Sequence, residues 1–183
     1  MFRSLRMLSV AALVSAPTFL AAQQNTRSIQ IGASGGLSLP IGSLGDGVKS
    51  GYVIAGHVYY QPSGFKSLGY RADVSLDKWS AKVSGLDLRS LGLVANAIFH
   101  LPSSTASMVH PYALGGVGIF NNKTSGNSLG ITYSATSSDV GVQVGGGIDF
   151  ALSGFSTFAE AKFVNVFSKG GTRWIPVSFG VRF

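Results

Sequence analysis

Apolar and polar side chains alternate one by one through eight separate stretches of this chain. A period of two is the signature of a β-strand whose two faces meet different surroundings, because successive side chains point to opposite sides of a sheet. From Ser28 to Leu39, the residues Ile29, Ile31, Ala33, Leu37 and Leu39 share one face, opposite Ser28, Gln30, Gly32, Ser34, Gly36 and Ser38. Gly51 to Gln61 sets Tyr52, Ile54, Val58 and Tyr60 against Val53, Ala55, His57 and Tyr59. Gly69 to Lys78 is sharper, with Tyr70, Ala72, Val74 and Leu76 opposing Arg71, Asp73, Ser75 and Asp77. Leu88 to Leu101 carries Leu91, Leu93, Ala95, Ala97 and Phe99 on one side. Pro111 to Asn121 is rich in glycine and its phase is ambiguous, which suggests a bulge near Gly115 and Gly116. In the sixth stretch Val140, Val142, Val144, Ile148 and Phe150 alternate with Gly141, Gln143, Gly145, Gly147 and Asp149. Phe155 to Phe167 sets Ala159, Ala161 and Phe163 against Phe158, Glu160, Lys162 and Val164. The last, Arg173 to Phe183, sets Ile175, Val177, Phe179, Val181 and Phe183 against Trp174, Pro176, Ser178, Gly180 and Arg182.

The connections also alternate. Those at 64–66, 102–110 and 152–154 are compact, whereas those at 40–50, 79–87, 122–139 and 168–172 are mostly longer and more polar. Such alternation is expected of an up-and-down antiparallel barrel whose two ends face different compartments.

The first residues lie outside this pattern. Arg3 and Arg6 precede an apolar run from Met7 to Leu20, followed by Ala21 and Ala22. That layout predicts a secretory signal peptide over residues 1–22, leaving one domain over residues 23–183. The mature part carries 12 basic and 7 acidic residues, a formal charge of +5 once Arg3 and Arg6 are removed. The excess is scattered, without the basic stripe and interleaved aromatics of a nucleic-acid surface. The chain has no cysteine, so neither disulfides nor thiolate metal sites are available to it.

A barrel of this size can be soluble, with its apolar face inward, or membrane-spanning, with that face turned to lipid. Period alone leaves both open. Burying Arg71, Asp73, Asp77, Asp149, Glu160, Lys162 and Arg182 costs several kcal/mol for each ion that is not paired. Two features favour lipid all the same. Tyr52 and Tyr60 stand eight residues apart on one apolar face, which projects to about 20 Å along a tilted strand, close to the ~25 Å apolar band of membrane barrels. The chain also closes on IPVSFGVRF, with apolar residues at every second position.

That ending resembles the assembly signal of bacterial outer-membrane proteins, with Phe179, Val181 and Phe183 as its outward residues. With it, the mature chain resembles the small eight-stranded outer-membrane β-barrels, the OmpX-like proteins and the transmembrane domain of OmpA. The resemblance implies periplasmic termini, four outer loops, insertion by the barrel-assembly machinery and residence in the outer membrane. Outer-membrane lipid and lipopolysaccharide are the expected surroundings, and a monomer is the expected state.

An eight-stranded barrel has a bore just wide enough for side chains to fill. Arg71, Asp73, Asp77, Asp149, Glu160, Lys162 and Arg182 are therefore expected to pair in an ion network that plugs it. Lys49, Lys78, Lys82, Lys123, Lys169 and Arg173 fall in the expected outer loops, where they can meet lipopolysaccharide phosphates. The function expected is structural or surface interaction, with a narrow channel for small or apolar solutes as the second reading. A lipid A-modifying enzyme is third, because it needs a nucleophile, a His and an acid together. His57 points inward mid-strand, and His100 and His110 flank a periplasmic turn, so none is expected at the outer leaflet beside a Ser and an acid. The glycine runs at Gly115 to Gly118 and Gly145 to Gly147 lie within strands and lack the following helix of a phosphate loop. No catalytic residue, metal ligand or cofactor is assigned.

Overall fold

The computed structural model describes residues 29–65, 67–82, 86–102, 108–128, 131–152, 154–168 and 170–183. The expected signal peptide lies outside them. Eight strands follow one another in chain order: β1 Ile29–Ile41, β2 Gly51–Tyr60, β3 Leu68–Ser80, β4 Leu86–His100, β5 Val109–Ser128, β6 Ile131–Leu152, β7 Phe155–Val166 and β8 Thr172–Arg182. Each pairs antiparallel with the next, and β8 pairs back onto β1 from Gly32↔Arg182 to Ile41↔Arg173. The sheet is thus a closed up-and-down barrel, as the alternation predicts, with each strand paired on both sides within the wall; β6 from Ile131 to Asp139 runs on beyond β7, paired with β5 alone. One short helix, α1 Ser43–Gly47, lies between β1 and β2. Ile29 and Phe183 sit at one end, with the β2–β3, β4–β5 and β6–β7 connections; α1 and the other three connections are at the opposite end.

Three expectations are corrected. No bulge interrupts β5, because Gly115 and Gly116 pair residue for residue with Ala97 and Asn96 on one side and with Val144 and Gln143 on the other. The phase looked ambiguous because Tyr112, Leu114 and Phe120 are apolar yet buried inside the barrel. The stretch 122–139 is not a loop either, since pairing of β5 with β6 continues to Ser128↔Ile131. The loop expected at 79–87 likewise shrinks, with Trp79 paired to Leu88.

The polarity is that of a membrane barrel. Ile29, Val74, Val144 and Phe179 are each more than half exposed, whereas Asp73 and Glu160 are 1% and 3% exposed. Leu37, Ile54, Leu93, Val117, Ile119 and Val140 continue the apolar surface around the wall. Soluble monomers rarely show contiguous apolar patches beyond a few hundred Å², so a belt of this kind calls for lipid as its solvent.

Inside, aromatic side chains lie across glycines of neighbouring strands. Phe120 passes between Gly92 and Gly141, where added Cβ atoms would stand 2.9 and 2.8 Å from its ring, and Phe158 covers Gly180. These close approaches explain the abundance of glycine on inward positions. Towards the end with α1, Trp79, Phe120, Val164, Val166 and Trp174 form an apolar plug, and Tyr59, Ile98, Tyr112 and Leu114 form another towards the terminal end. The charged residues lie between and beside these layers.

Candidate functional site

The strand register brings four ions together across the bore. Arg71 on β3 faces Asp73 two residues along and Glu160 on β7, donating to Asp73 through Nε and Nη2 at 2.7 and 3.0 Å, and to Glu160 through Nη1 and Nη2 at 2.8 and 2.9 Å. Lys162 Nζ stands 3.2 Å from Glu160 and 3.6 Å from Asp73. Two cations and two carboxylates are thereby balanced, and the paired guanidinium forks supply directional bonds as well as charge. Neutral donors complete the cluster: the Tyr112 hydroxyl donates to Glu160 at 2.7 Å and Asn96 Nδ2 to Asp73 at 3.1 Å. Gln143 donates in turn to Asn96. Each of the four ions is at most 7% exposed, so their stability depends on this mutual satisfaction.

The other expected members of the network sit apart. Arg182 pairs with Asp149 nearer the termini, its guanidinium 5.0 Å from the Tyr59 ring and 5.3 Å from the Phe158 ring. Asp77 makes no ion pair among the described residues and accepts the Ser38 hydroxyl at 2.6 Å. One network was expected; the register divides it into a four-ion cluster, a separate pair and a lone buried carboxyl.

His57 adds an arrangement that strand phase could not reveal. Its Nδ1 lies 2.9 Å from Asp73 Oδ1 and its Nε2 lies 2.8 Å from Ser34 Oγ. The order Ser, His, Asp is that of a hydrolytic triad, but the imidazole is 3% exposed in mid-bore and its Asp is already held by Arg71 and Lys162. Strand ladders on both sides also engage the backbone N–H groups that an oxyanion would need. The contacts bind three strands together. His100 accepts or donates a hydrogen bond with Tyr59 at 2.8 Å, beside a terminal-end recess of about 370 Å³ that His110, Asp149 and Arg182 also line.

The basic residues expected in outer loops are placed differently. Lys78 lies on β3, Lys123 on β5 and Arg173 on β8, while Lys49 and Lys82 do lie in connections. Lys169 falls outside the described residues. Lys82 Nζ is bound to the Gly45 carbonyl at 2.8 Å and Arg173 Nε to Asn165 at 3.0 Å. Arg89, which sequence reasoning passed over, stands directly between Lys78 and Lys123 in the register. The signal for it was available: it shares a face with Leu91 and Leu93, at the aqueous end of their apolar row.

No protein-family model matches the sequence, and no curated protein does. Solved structures match in fold. The crystal structure of Neisserial surface protein A superposes with a TM-score of 0.66 at 21% identity, covering 85% of this chain and 96% of that one. A major outer membrane protein from Thermus thermophilus gives 0.60 at 13% identity, over 85% and 98%. The N-terminal β-barrel domain of Pseudomonas aeruginosa OprF gives 0.50 at 18% identity, over 85% and 95%. This chain has the small outer-membrane barrel fold. In this barrel Phe179 and Phe183 of the terminal motif point outward, and the Phe183 ring lies 6.1 Å from that of Phe155. The β8 strand that carries them closes the wall against β1.

Proposed function

We propose that this chain is an integral protein of a bacterial outer membrane that acts through its surface and not as a pore. On this reading residues 1–22 direct export, and the Phe179, Val181 and Phe183 row is recognised by the barrel-assembly machinery. The termini then face the periplasm, and the end bearing α1 and the long β5–β6 hairpin faces outward. The barrel acts as a monomer, with its partner specificity at that outer end.

The observation that carries the proposal is the sealed bore. A side chain bordering a water-filled channel keeps accessible surface, yet Arg71, Asp73, Asn96, Gln143, Glu160 and Lys162 are all at most 7% exposed. The recesses at the two ends, about 370 and 500 Å³, are lined by different residues with this cluster between them. The protein reconstituted into planar bilayers is expected to show no conductance steps of porin size. Regular steps of that size would overturn the closed-bore reading.

A further inference from the structure

Three cations occupy consecutive cross-strand positions on the outside of the barrel. Lys78 pairs with Arg89 and Arg89 with Lys123 in the register of β3, β4 and β5. The buried neighbours Trp79 and Ser90 fix Lys78 and Arg89 on the outward face, and Phe120, an odd number of residues from Lys123, does the same for β5. Like charges directly opposite one another destabilise a sheet. Here the protein offers little to offset them: Lys78 stands 3.9 Å from Asp87, and among the described residues the Arg89 and Lys123 side chains have no ion-pair or hydrogen-bond partner. Between them lies a recess of about 180 Å³ lined by Lys78, Asp87, Leu88, Arg89, Lys123 and Ser125. That is the liquid volume of about six waters.

The height of this row decides what can fill the recess. One rung towards the barrel centre the outward residues become Leu76, Leu91 and Asn121, and the next rung is Val74, Leu93 and Ile119. Lys78 is also the register partner of Tyr52, whose strand bears Tyr60 eight residues on, paired with Tyr70. The two tyrosine levels are separated by about 20 Å along the axis, near the ~25 Å of an apolar band. The cations therefore stand where apolar wall gives way to headgroups, directly above a leucine surface suited to acyl chains.

We propose that Lys78, Arg89 and Lys123 form a binding site for a phosphate group of an outer-leaflet lipid, with the lipid's acyl chains lying along Leu76, Leu91 and Leu93. Arg89 at the centre supplies the planar fork that matches phosphate oxygens, and the two lysines flank it as point charges. The site rests on the proposed orientation, in which this end of the barrel faces outward.

The test is a titration of the folded full barrel, in zwitterionic detergent micelles, with bisphosphorylated lipid A, with dephosphorylated lipid A and with inorganic phosphate. The phosphorylated lipid is expected to bind and the dephosphorylated lipid to bind much more weakly. Arg89→Gln with Lys123→Gln is expected to weaken binding on the order of thirtyfold. Lys49 and Arg173, two of the contacts expected from sequence, lie off this row, so Lys49→Gln with Arg173→Gln removes equal charge outside the site and is expected to change little. All four positions are solvent- or lipid-facing, and heat-dependent gel migration confirms folding of each variant; Arg89→Gln alone serves if the double variant does not fold. Equal losses in the two double variants, or indifference of the lipid to its phosphates, would overturn the site. Inorganic phosphate that competes at equal concentration would assign the site to a soluble phosphorylated ligand and not to a lipid. Micelles impose no orientation and carry no current, so a failure here is distinct from a failure of the closed-bore reading.

Discussion

Arg71→Leu is expected to lower the unfolding free energy of the lipid-reconstituted barrel by about 3–5 kcal/mol, read from denaturant titration in vesicles. The change leaves Asp73 and Glu160 buried with Lys162 alone to balance them, and removes four charge-assisted hydrogen bonds. The double variant Arg71→Leu, Glu160→Leu restores neutrality, because Asp73 keeps Lys162 at 3.6 Å. It is expected to recover at least half of the loss, since an apolar replacement of a buried pair is often near neutral. Equal destabilisation by the single and double variants would show that packing, and not uncompensated charge, sets the cost. On the closed-bore proposal the cluster matters to function through this energetics, because a bore filled by paired ions resists conduction.

Val144→Arg is expected to cost about 2–4 kcal/mol in the same assay, the penalty of an arginine near the bilayer midplane. Val144 is 59% exposed and adjoins Gly145, the register partner of Lys162, so it lies outside the wall at the level of the ion cluster. Val140 is equally exposed but four residues nearer the α1 end, and Val140→Arg is expected to cost less. The gradient is diagnostic. On a water-facing surface both substitutions would fall within about 0.5 kcal/mol of neutral.

How far the sequence revealed this molecule depended on where each strand meets two different media. In β3, Tyr70 to Asp77 alternates between lipid and a polar bore, and its phase was plain. In β5 the bore itself is apolar at Tyr112, Leu114 and Phe120, so both faces read alike. The parts of β5 and β6 towards the α1 end, from Asn122 through Ser128 and from Ile131 to Asp139, pair as a ladder but are mostly Ser, Thr and Asn. Apart from Ile131, Tyr133 and Ala135 the hairpin has no apolar row, and a period that short is too weak to distinguish a strand from a polar loop. The inward position of every bore ion could be read from parity, but the partners could not. Whether Glu160 meets Arg71 or Arg182, and whether Ser34 meets His57, depends on the stagger between strands, which no single strand records. Asp77 shows the limit: it has the right face and the wrong height. The same stagger aligns Arg89 with Lys78 and Lys123 in a row that no single strand records.

The most direct measurement of lipid-facing polarity is nitroxide accessibility in vesicles, for which the absence of native cysteine is convenient. Spin labels at Val74→Cys and Val144→Cys are expected to be mobile, relaxed strongly by oxygen and little by a water-soluble nickel chelate. A label at Asp46→Cys beside α1 is expected to show the reverse preference. Strong relaxation by the nickel chelate at Val74→Cys and Val144→Cys, or immobile labels of the kind seen in a packed core, would contradict the account.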